Sequence, residues 1–512
     1  MKKLLVLAFL VLSAVGLLAQ GAAPLRLEIP APANSDPFNY VSAGPYGVCV
    51  FYPTINESGK DSVNWSFVMT DNKLKEQWYR LVPLHKDVTY LKSLSTRNAI
   101  YLLFHDTKRN KDGNIFVFMV IPRLKVITEH RASIPEKADV VDFDISNDVA
   151  YIGYNNRKNQ PGIMGFSLVT GEKNNYEITS EKDALLLDIS ADSTQQKLFA
   201  TYKIQYSSSS NHLFVNQYKI AGALEKTFDF TGQAEKKNFN SAQYIPQSGG
   251  SGIIAGTYGV DVTNTPRQYF YYDNYYNSYY DNYYNSYYYN YYSPYYYSRQ
   301  SSYDANEDKT PVSDGYFTAV VKSGVAGKIK YFNFSGFSNA YKYITDPSAL
   351  RLKNKATRKK EKAATEEQAE ETFDNEKTLN LRLITHDIMI NNGQFIITSE
   401  AYSPEYHTNT QMSYDYYGRA FPTSYQVFDG FRYSHAFIAG FDSSGNMLWN
   451  NGMEMRDILT KYLNRKLNFV FDKDEIVLFY NANNKVASKV IKGNTIVDNT
   501  SYTSLVPLRN TD

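Results

Sequence analysis

The chain contains a single cysteine, Cys49, among its 512 residues. A lone cysteine forms no internal disulfide, so stability must come from a large apolar core, for which this length is sufficient. Cys49 lies in the apolar segment 46–52, and we therefore expect a small buried side chain on a strand rather than a reactive thiol. The lone cysteine also leaves no Cys/His cluster of the kind that binds zinc.

Neither sign of charge is in excess. The 54 lysines and arginines are balanced by 52 aspartates and glutamates. Removal of an N-terminal segment containing Lys2 and Lys3 would leave a formally neutral chain. Proteins that bind nucleic acid usually carry an overall basic excess, so we expect no nucleic-acid partner.

Long apolar runs are absent after the N terminus. Leu4 to Leu18 is apolar over about 15 residues, follows two lysines, and precedes the small and polar residues 19–23. This pattern predicts a signal peptide over residues 1–22 and an exported chain in the periplasm, at the cell surface or outside the cell. A retained N-terminal anchor is the alternative, although a membrane span needs about 20 apolar residues. No cysteine ends the run, which excludes a lipoprotein anchor, and we expect no transmembrane segment after cleavage.

Several signatures of enzymes are missing. The seven histidines show no His-Glu-x-x-His spacing, no Gly-x-Ser-x-Gly elbow occurs, and no phosphate-binding or dinucleotide-binding glycine pattern follows a strand. We therefore expect no metal site and no cofactor. These absences count against several large enzyme classes, but not against every enzyme.

Short runs rich in aromatic and β-branched residues make up most of the rest of the chain. Examples are residues 99–104, 115–121 and 475–480, which are bounded by Asn, Asp, Gly or Lys. Such runs are typical of strands separated by turns. The fold class indicated is all-β.

Two similar sequence motifs, called the repeated phrases below, lie 46 residues apart: Val141 to Asp148 and Leu187 to Thr194. In each, an Asp-apolar-Ser-x-Asp turn precedes a strand-like run. A second recurring unit is a hairpin in which a Trp follows the turn Asp by seven residues, at Asp71 to Trp78 and at Asp442 to Trp449. Turn positions near 71, 122, 170 and 221 are about 50 residues apart, close to the length of a four-stranded propeller blade.

This spacing predicts a β-propeller over residues 24–512 with about seven or eight four-stranded blades, and seven is the preferred count. Two insertions interrupt the spacing, at 268–304 and at 346–378. A two-sheet sandwich followed by another β domain is the alternative, because strand patterns alone do not prove that the blades close.

The Asp-x-Ser-x-Asp phrases, Asp144 to Asp148 and Asp188 to Asp192, resemble the WD40-like repeats of exported bacterial β-propellers. The hairpin from Phe437 to Trp449 resembles the Asp-x-x-Gly-x-x-x-Trp unit of other exported propeller repeats, and the copy at Asp71 departs from it by lacking the Gly. The chain as a whole is similar to secreted propeller-like proteins of Gram-negative bacteria. These motifs cover about a third of the chain, and the resemblance implies blade construction rather than a particular chemistry.

The aspartates of these phrases are interpreted as structural. Asp and Ser side chains of such turns hydrogen-bond nearby backbone N–H groups, which is the role expected for Asp142, Asp144, Asp188 and Asp192. A calcium loop at Asp142, Asp144 and Asp148 is the alternative, but the Gly and the later Glu of a calcium-binding loop are missing.

The insertion at 268–304 is rich in tyrosine. Tyr-Tyr-Asp-Asn-Tyr-Tyr-Asn-Ser occurs twice in succession, at 271–278 and 279–286. Without aliphatic residues the segment is expected to be a surface loop. A tyrosine offers a flat apolar face and a hydroxyl, so the functional interpretation is adhesive contact with sugars or other surfaces. A tandem duplication tolerated in a loop is the alternative. The candidate binding residues are Tyr271, Tyr272, Tyr275, Tyr276, Tyr279, Tyr280, Tyr283 and Tyr284.

The insertion at 346–378 is highly charged. Basic residues dominate its first half and acidic residues its second half, after a start at Asp346-Pro347 that suits a helix N-terminus. Helix is plausible on propensity, but this order of charges opposes the helix dipole. Docking on a charged partner and a solvated excursion are the two interpretations.

One pair of carboxylates is a candidate for catalysis. If Asn392-Gly393 is a two-residue hairpin turn, Asp387 lies opposite Thr398, and Glu400 lies diagonally beyond it on the same face. Two carboxylates flanking a bond are what glycoside hydrolysis requires. The solvent face of an ordinary hairpin is the alternative.

These observations favour an exported, non-catalytic binding or scaffold protein that contacts an envelope or extracellular protein or glycan. A propeller-type polysaccharide hydrolase that uses Asp387 or Glu400 is the alternative. A pyrroloquinoline-quinone dehydrogenase is less favoured than either. The ligand and the oligomeric state are left open by the sequence.

Overall fold

A computed structural model describes residues 27, 38–59, 61–106, 113–136, 138–156, 160–178, 183–207, 210–230, 237–260, 311–337, 379, 381–414, 417–461, 463–483 and 485–504. The predicted signal peptide, the Tyr-rich insertion and the charged insertion lie outside these residues. The described part of the chain has no helix with the length and apolar character that a membrane crossing requires. Its secondary structure is strand apart from four single-turn 3₁₀ helices, Gly44–Tyr46, Pro122–Leu124, Ser248–Gly250 and Phe334–Gly336.

The chain divides into two compact units, Met1–Ile134 and Pro135–Asp512, called unit 1 and unit 2 below. The strands of unit 1 are β1 Asn39–Ser42, β2 Val48–Gly59, β3 Ser62–Thr70, β4 Glu76–His85, β5 Val88–Ser95, β6 Ile100–Asp106, β7 Ile115–Ile121 and β8 Val126–Ala132.

Unit 2 contains the remaining strands. The first part has β9 Asp139–Ser146, β10 Val149–Asn155, β11 Pro161–Ser167, β12 Lys173–Glu177, β13 Ala184–Asp192, β14 Lys197–Ser207, β15 Ser210–Lys219, β16 Leu224–Asp229, β17 Lys237–Gln247, β18 Ser251–Val260, β19 Val312–Ser313, β20 Gly315–Lys322, β21 Val325–Ala326 and β22 Lys330–Asn333. The second part has β23 Leu381–Thr385, β24 Met389–Asn391, β25 Gln394–Tyr414, β26 Ala420–Phe441, β27 Met447–Glu454, β28 Leu459–Thr460, β29 Asn468–Asp472, β30 Glu475–Ala482, β31 Lys485–Lys492 and β32 Thr495–Ser504.

The fold is an all-β β-propeller with four-stranded antiparallel blades, which confirms the predicted fold class. Four successive strands form each of the sheets β1–β4, β5–β8, β9–β12, β13–β16 and β29–β32. In the sheet that begins with β17, the fourth strand is split into β21 and β22. The largest sheet has a split first strand, β23 and β24, and a split fourth strand, β27 and β28. Six blades and this larger seventh sheet are close to the predicted seven or eight.

The repeated turn predicted from the sequence is the connection between the third and fourth strands of a blade. The positions near 71, 122, 170 and 221 join β3 to β4, β7 to β8, β11 to β12 and β15 to β16. Asp71 Oδ1 accepts from the backbone N–H groups of Lys73 and Lys75, and Asp442 Oδ1 accepts from those of Ser444 and Asn446. The two hairpins noted in the sequence therefore use one turn geometry.

Apolar side chains pack between neighbouring sheets within each unit. In unit 1 the cluster includes Cys49, Phe51, Phe67, Phe104 and Phe118. Cys49 is completely buried on β2, as predicted, and burial raises the pKa of its thiol to about 12. In unit 2 each large cluster takes residues from two adjacent sheets, so that a blade is stabilised by its neighbours.

In each blade of unit 2 the strand ends lie at two opposite sides of the sheet, and we call these two sides its edges. Connections from first to second strand and from third to fourth strand lie at one edge, which we call the turn edge. Connections from second to third strand, and from one blade to the next, lie at the opposite edge. The strand ends that flank both predicted insertions lie at that opposite edge, since the insertions fall in the chain between Val260 and Gly315 and between Asn333 and Leu381. We call it the insertion edge.

Candidate functional site

The hairpin that carries the two candidate catalytic carboxylates has the predicted turn. Asn392 and Gly393 have φ values of 49° and 72°, and Asn391 pairs with Gln394, as in a two-residue hairpin loop. The pairing before the turn differs from the prediction. Thr385 pairs with Ser399 and Met389 with Ile396, so the first strand holds one more residue than the second over this interval.

This extra residue is a β-bulge between β23 and β24, and it changes the environment of both carboxylates. The backbone N–H of His386, rather than that of Asp387, bonds to the carbonyl of Thr398, at 2.9 Å. Asp387 is about half exposed, whereas Glu400 is completely buried. The sequence could not show the bulge, because hydrophobic alternation is too short on either side of it.

Glu400 is hydrogen-bonded at both of its oxygens. Its carboxylate accepts from the backbone N–H of Lys466 at 2.9 Å and 3.0 Å and from that of Leu467 at 3.0 Å. His386 Nε2 lies 2.6 Å from Glu400 Oε1, and a carboxylate partner assigns the ring proton to that nitrogen. Glu400 therefore holds the connection from β28 to β29 against β25.

Asp387 belongs to a polar group beside the first strands of neighbouring blades. Arg465 Nη2 donates to Asp387 Oδ1 at 2.8 Å and to the carbonyl of Thr385 at 3.2 Å. Burial acts to lower the pKa of the Arg465 guanidinium, but the hydrogen bond and charge of Asp387 outweigh it and raise that pKa. Gln243 Nε2 lies 3.5 Å from Asp387 Oδ1, and Gln243 Oε1 accepts from the N–H of Ile388 at 2.7 Å.

The aspartates of the repeated phrases make contacts of the same kind. Asp142 Oδ2 accepts from the N–H of Ile189 at 3.2 Å, and Asp144 Oδ2 accepts from that of Ala191 at 2.7 Å. Both bonds join β9 to β13 in the next blade. The prediction of structural aspartates that bind backbone N–H groups is confirmed, but for this pair the sequence did not show that the partners lie in the neighbouring blade.

The remaining two aspartates complete this picture. Asp192 Oδ1 accepts from the N–H groups of Thr194 and Gln195 and caps its own turn, as predicted. Asp188 Oδ1 accepts from Gln243 Nε2 at 3.1 Å, so it also contacts the following blade. Carboxylates and amides thus connect β9, β13, β17 and the bulge between β23 and β24 one after another. The charged groups in this series of contacts therefore join one blade to the next. Asp387 and Arg465 are the two that are about half exposed.

The chemistry open to this group follows from its contacts. A catalytic carboxylate must reach the substrate, and its pKa must suit proton transfer or nucleophilic attack. Glu400 has no exposed surface, and both of its oxygens are occupied by donors of the protein. The described residues contain no group of three or more His, Cys, Asp or Glu side chains placed to hold a metal ion.

The insertion edge is best defined in the largest sheet. One row of paired residues crosses four strands of this sheet: Val312 on β19 pairs with Arg382, Arg382 with Tyr402, and Tyr402 with Tyr433. Val312 follows the Tyr-rich insertion, and Arg382 follows the charged insertion. The chain therefore returns from both insertions at adjacent positions of one sheet.

A two-stranded extension leaves the same row. Strands β25 and β26 continue past Tyr402 and Tyr433 and stay paired from Tyr406 and Phe428 out to Tyr414 and Ala420. We call residues 406–428 the ribbon. Among the described residues, no third strand pairs with either side of it.

The described side chains of the ribbon are mostly exposed. His407 Nδ1 bonds to Asp429 Oδ1 at 2.6 Å, and Thr410 Oγ1 lies 2.9 Å from Ser424 Oγ. Met412 is 57% exposed and Tyr417 is 80% exposed. The chain thus returns from both insertions, and the ribbon begins, at neighbouring positions of the insertion edge. The candidate binding tyrosines 271–284 lie outside the described residues.

No family model and no curated protein matches the chain. Among solved structures, hydrazine synthase of Kuenenia stuttgartiensis is similar at 15% identity and a TM-score of 0.33, over 60% of this chain and 69% of that chain. A eukaryotic initiation factor is similar at 11% identity and a TM-score of 0.31, over 58% and 55% of the two chains. Synechocystis apocarotenoid oxygenase has 10% identity and a TM-score of 0.28, over 44% and 56%. Likeness at this level carries no information on function.

Proposed function

We propose that the protein is an exported, non-catalytic binding or scaffold protein, and that the insertion edge of unit 2 is its contact surface. Its partner would be a protein or a glycan of the bacterial envelope or the extracellular space. The observation that carries the proposal is the row Val312, Arg382, Tyr402 and Tyr433, at which two insertions and the ribbon arise together. Binding residues are often grouped on loops at one side of a rigid scaffold.

The composition of the segments that arise there supports contact with a polar surface. The ribbon offers hydroxyl, amide and imidazole groups together with the exposed side chains of Met412 and Tyr417. The repeat at 271–286 adds paired tyrosines, which suit stacking on sugars and contact with polar groups. Repetition would raise avidity without requiring a strong single site.

The first test is a pull-down from envelope and extracellular-polymer fractions with the mature protein. One variant replaces residues 268–303 by a Gly/Ser linker of equal length, which keeps the connection and removes the tyrosines. A second variant joins Tyr406 to Phe428 through Asn-Gly, which shortens the ribbon at a position where the two strands are paired. Retention of a partner by the intact protein, and its loss from either variant, is the expected result.

Two controls make the pull-down decisive. The variants should unfold at nearly the temperature of the intact protein, because the first keeps the loop length, and the shorter loop of the second has a small effect on stability, about 0.6 kcal/mol for each doubling of length. Retention of the same partner by all three proteins would contradict the proposal. In that case the partner binds elsewhere, and the tyrosine repeat is a tolerated expansion.

The hydrolase alternative is tested separately at the two carboxylates. A hydrolase should release reducing sugar and should lose that activity in Asp387→Asn or Glu400→Gln while remaining folded. The contacts of Glu400 favour a structural role, because Lys466 and Leu467 already occupy its oxygens. Loss of sugar release on these substitutions would establish the alternative and overturn the non-catalytic proposal.

A further inference from the structure

A cleft of about 280 Å³ opens at the turn edge of unit 2, between the largest sheet and the blade β29–β32. Its walls include the turn residues Asn391, Asn392 and Gln394 on one side and Asp474 on the other. Small-molecule sites usually measure about 300–1,000 Å³, so this cleft suits a ligand of one ring. It lies at the edge opposite the insertions.

The floor of the cleft is apolar and held in place. Ile396, Ile476 and the indole of Trp449 line it; all three side chains are buried, and Trp449 is 8% exposed, so a small apolar strip faces the cleft. Trp449 Nε1 donates to Gln394 Oε1 at 2.8 Å, which sets the orientation of the ring. Gly440 gives the indole its space, since a Cβ atom there would lie 2.3 Å from Trp449 Cε2.

The rim of the cleft is polar and electrically balanced. The side-chain amide of Asn391 has no hydrogen-bond partner among the described residues, and the amide nitrogen of Gln394 is also open within that part of the chain. Asn392 Nδ2 donates to the carbonyl of Lys473 at 3.0 Å, which leaves its oxygen as an acceptor. Lys492 and Asp474 form an ion pair at 3.4 Å across the rim.

These features restrict the class of ligand. A small apolar strip below, and amides and a carboxylate above, suit a compact molecule that has several hydroxyl groups and a short apolar edge. The pairing of Lys492 with Asp474 leaves no excess positive charge for a phosphate. The volume is too small for a lipid chain or a dinucleotide.

We propose that this cleft binds a single sugar ring, with one edge of the pyranose against the exposed part of Trp449 and its hydroxyls bonded to Asn391, Gln394 and Asp474. This site is independent of the insertion edge and goes beyond the function proposed above. A glycan held there would contact the side of unit 2 that carries no insertion.

Fluorine NMR can observe the cleft directly. The chain has three tryptophans, and Trp449 is the one in unit 2, whereas Trp65 and Trp78 belong to unit 1. Mature protein labelled with 5-fluorotryptophan would be titrated with the methyl glycosides of glucose, galactose, mannose and N-acetylglucosamine. Glycerol serves as the control for a general solvent effect. Single Trp→Phe variants assign the three resonances.

The expected result is a saturable shift of the Trp449 resonance with at least one glycoside, and unshifted resonances of Trp65 and Trp78. For a ligand this small the dissociation constant should be in the millimolar range. Asn391→Ala should raise it about threefold to tenfold through loss of one hydrogen bond. The matched control is Asn175→Ala, an exposed amide on β12 outside the cleft, which should leave the constant unchanged.

Two results would overturn this site. One is the absence of a saturable Trp449 shift with all four glycosides. The other is a shift that Asn391→Ala leaves unaltered, because the sugar would then not lie in the cleft. Asn391 makes no side-chain hydrogen bond within the described residues, so the variant should fold, and circular dichroism checks this. Repeating the titration without residues 268–303 separates this site from the insertion edge.

Discussion

The connections between strands are held in different ways at the two edges of the unit 2 blades. At the turn edge, the connections are short and held locally: Asn147-Asp148 and Asn392-Gly393 use left-handed residues in tight turns, and Asp442 caps its own turn. At the insertion edge, side chains from distant parts of the chain hold the connection from β28 to β29, as Glu400 does for Lys466 and Leu467 and as Tyr433 does for Asn464. An edge held by side chains can accept extra chain between its anchors.

The largest expected effect comes from breaking an anchor of the insertion edge. Glu400→Ala leaves two backbone N–H groups and His386 without their acceptor in a completely buried place. We expect the free energy of unfolding to fall by about 3 kcal/mol or more. Urea denaturation followed by circular dichroism measures this.

The matched control is Glu405→Ala on the same strand. Glu405 pairs with Arg432 at a partly exposed position, and such ion pairs contribute about 0–1 kcal/mol. Equal losses in the two variants would show that Glu400 does not act as an anchor. The comparison between the edges would then lose its physical basis.

A pair of glycine substitutions sharpens the comparison. Gly393 at the turn edge has φ +72°, whereas Gly336 lies in the connection from β22 to β23 at the insertion edge, where an added Cβ would meet no atom within 4 Å. We expect Gly393→Ala to lower the free energy of unfolding by about 1 kcal/mol, because a side chain disfavours the left-handed region. Gly336→Ala should be neutral or slightly stabilising. A larger loss of stability for Gly336→Ala than for Gly393→Ala, measured by the same denaturation, would show that the insertion edge tolerates substitution less well than the turn edge.

The smallest expected effect concerns a turn residue and depends on pH. Partial burial acts to raise the pKa of Asp442, but the N–H donors of Asn446 and Ser444 outweigh it, and the pKa is lowered in the folded state. Its contribution is therefore present above the unfolded pKa of about 3.9 and is lost as the pH falls through the folded pKa. Asp442→Ala should cost about 1 kcal/mol near neutral pH, from the loss of its turn hydrogen bonds.

The pH dependence of that difference is the sharper observation. The stabilities of the intact protein and of Asp442→Ala should approach each other when the pH falls below about 4, as the carboxylate becomes protonated. Denaturation curves at neutral pH and at acidic pH provide the comparison. A difference that stays constant over this range would show that the charge of Asp442 is not what holds the turn.

The sequence was sufficient to predict the blades, because their turns are local. The turn Asp442 to Asn446 and the hairpin at Asn392-Gly393 depend on residues close together in the chain, and both are present as predicted. The bulge beside Asp387 and the bonds from Asp142 and Asp144 to Ile189 and Ala191 depend on a neighbouring strand or blade. The register of that neighbour cannot be read from one segment of sequence.

The cleft is a second feature that could not be predicted from the sequence. Asn391, Trp449 and Asp474 come from three hairpins that are far apart in the chain, and no motif joins them. The sequence drew attention to Trp449 as part of a repeated hairpin, and it pointed to Asp387 and Glu400 as carboxylates on a turn. The structure was needed to show that Asp387, which contacts Arg465, is half exposed, whereas Glu400, which contacts Lys466, is buried.

The pairing of β19 with β23 has a consequence for how the chain can be divided. Val312 and Ser313 lie in the chain between the second and third strands of the blade that begins with β17, yet they complete the sheet of the next blade through Arg382 and Leu381. A protease that cut within residues 338–378 would leave this strand on one fragment and its sheet on the other. The fragments would share a sheet, so the nicked protein should behave as a split protein whose parts reassemble rather than as two independent domains.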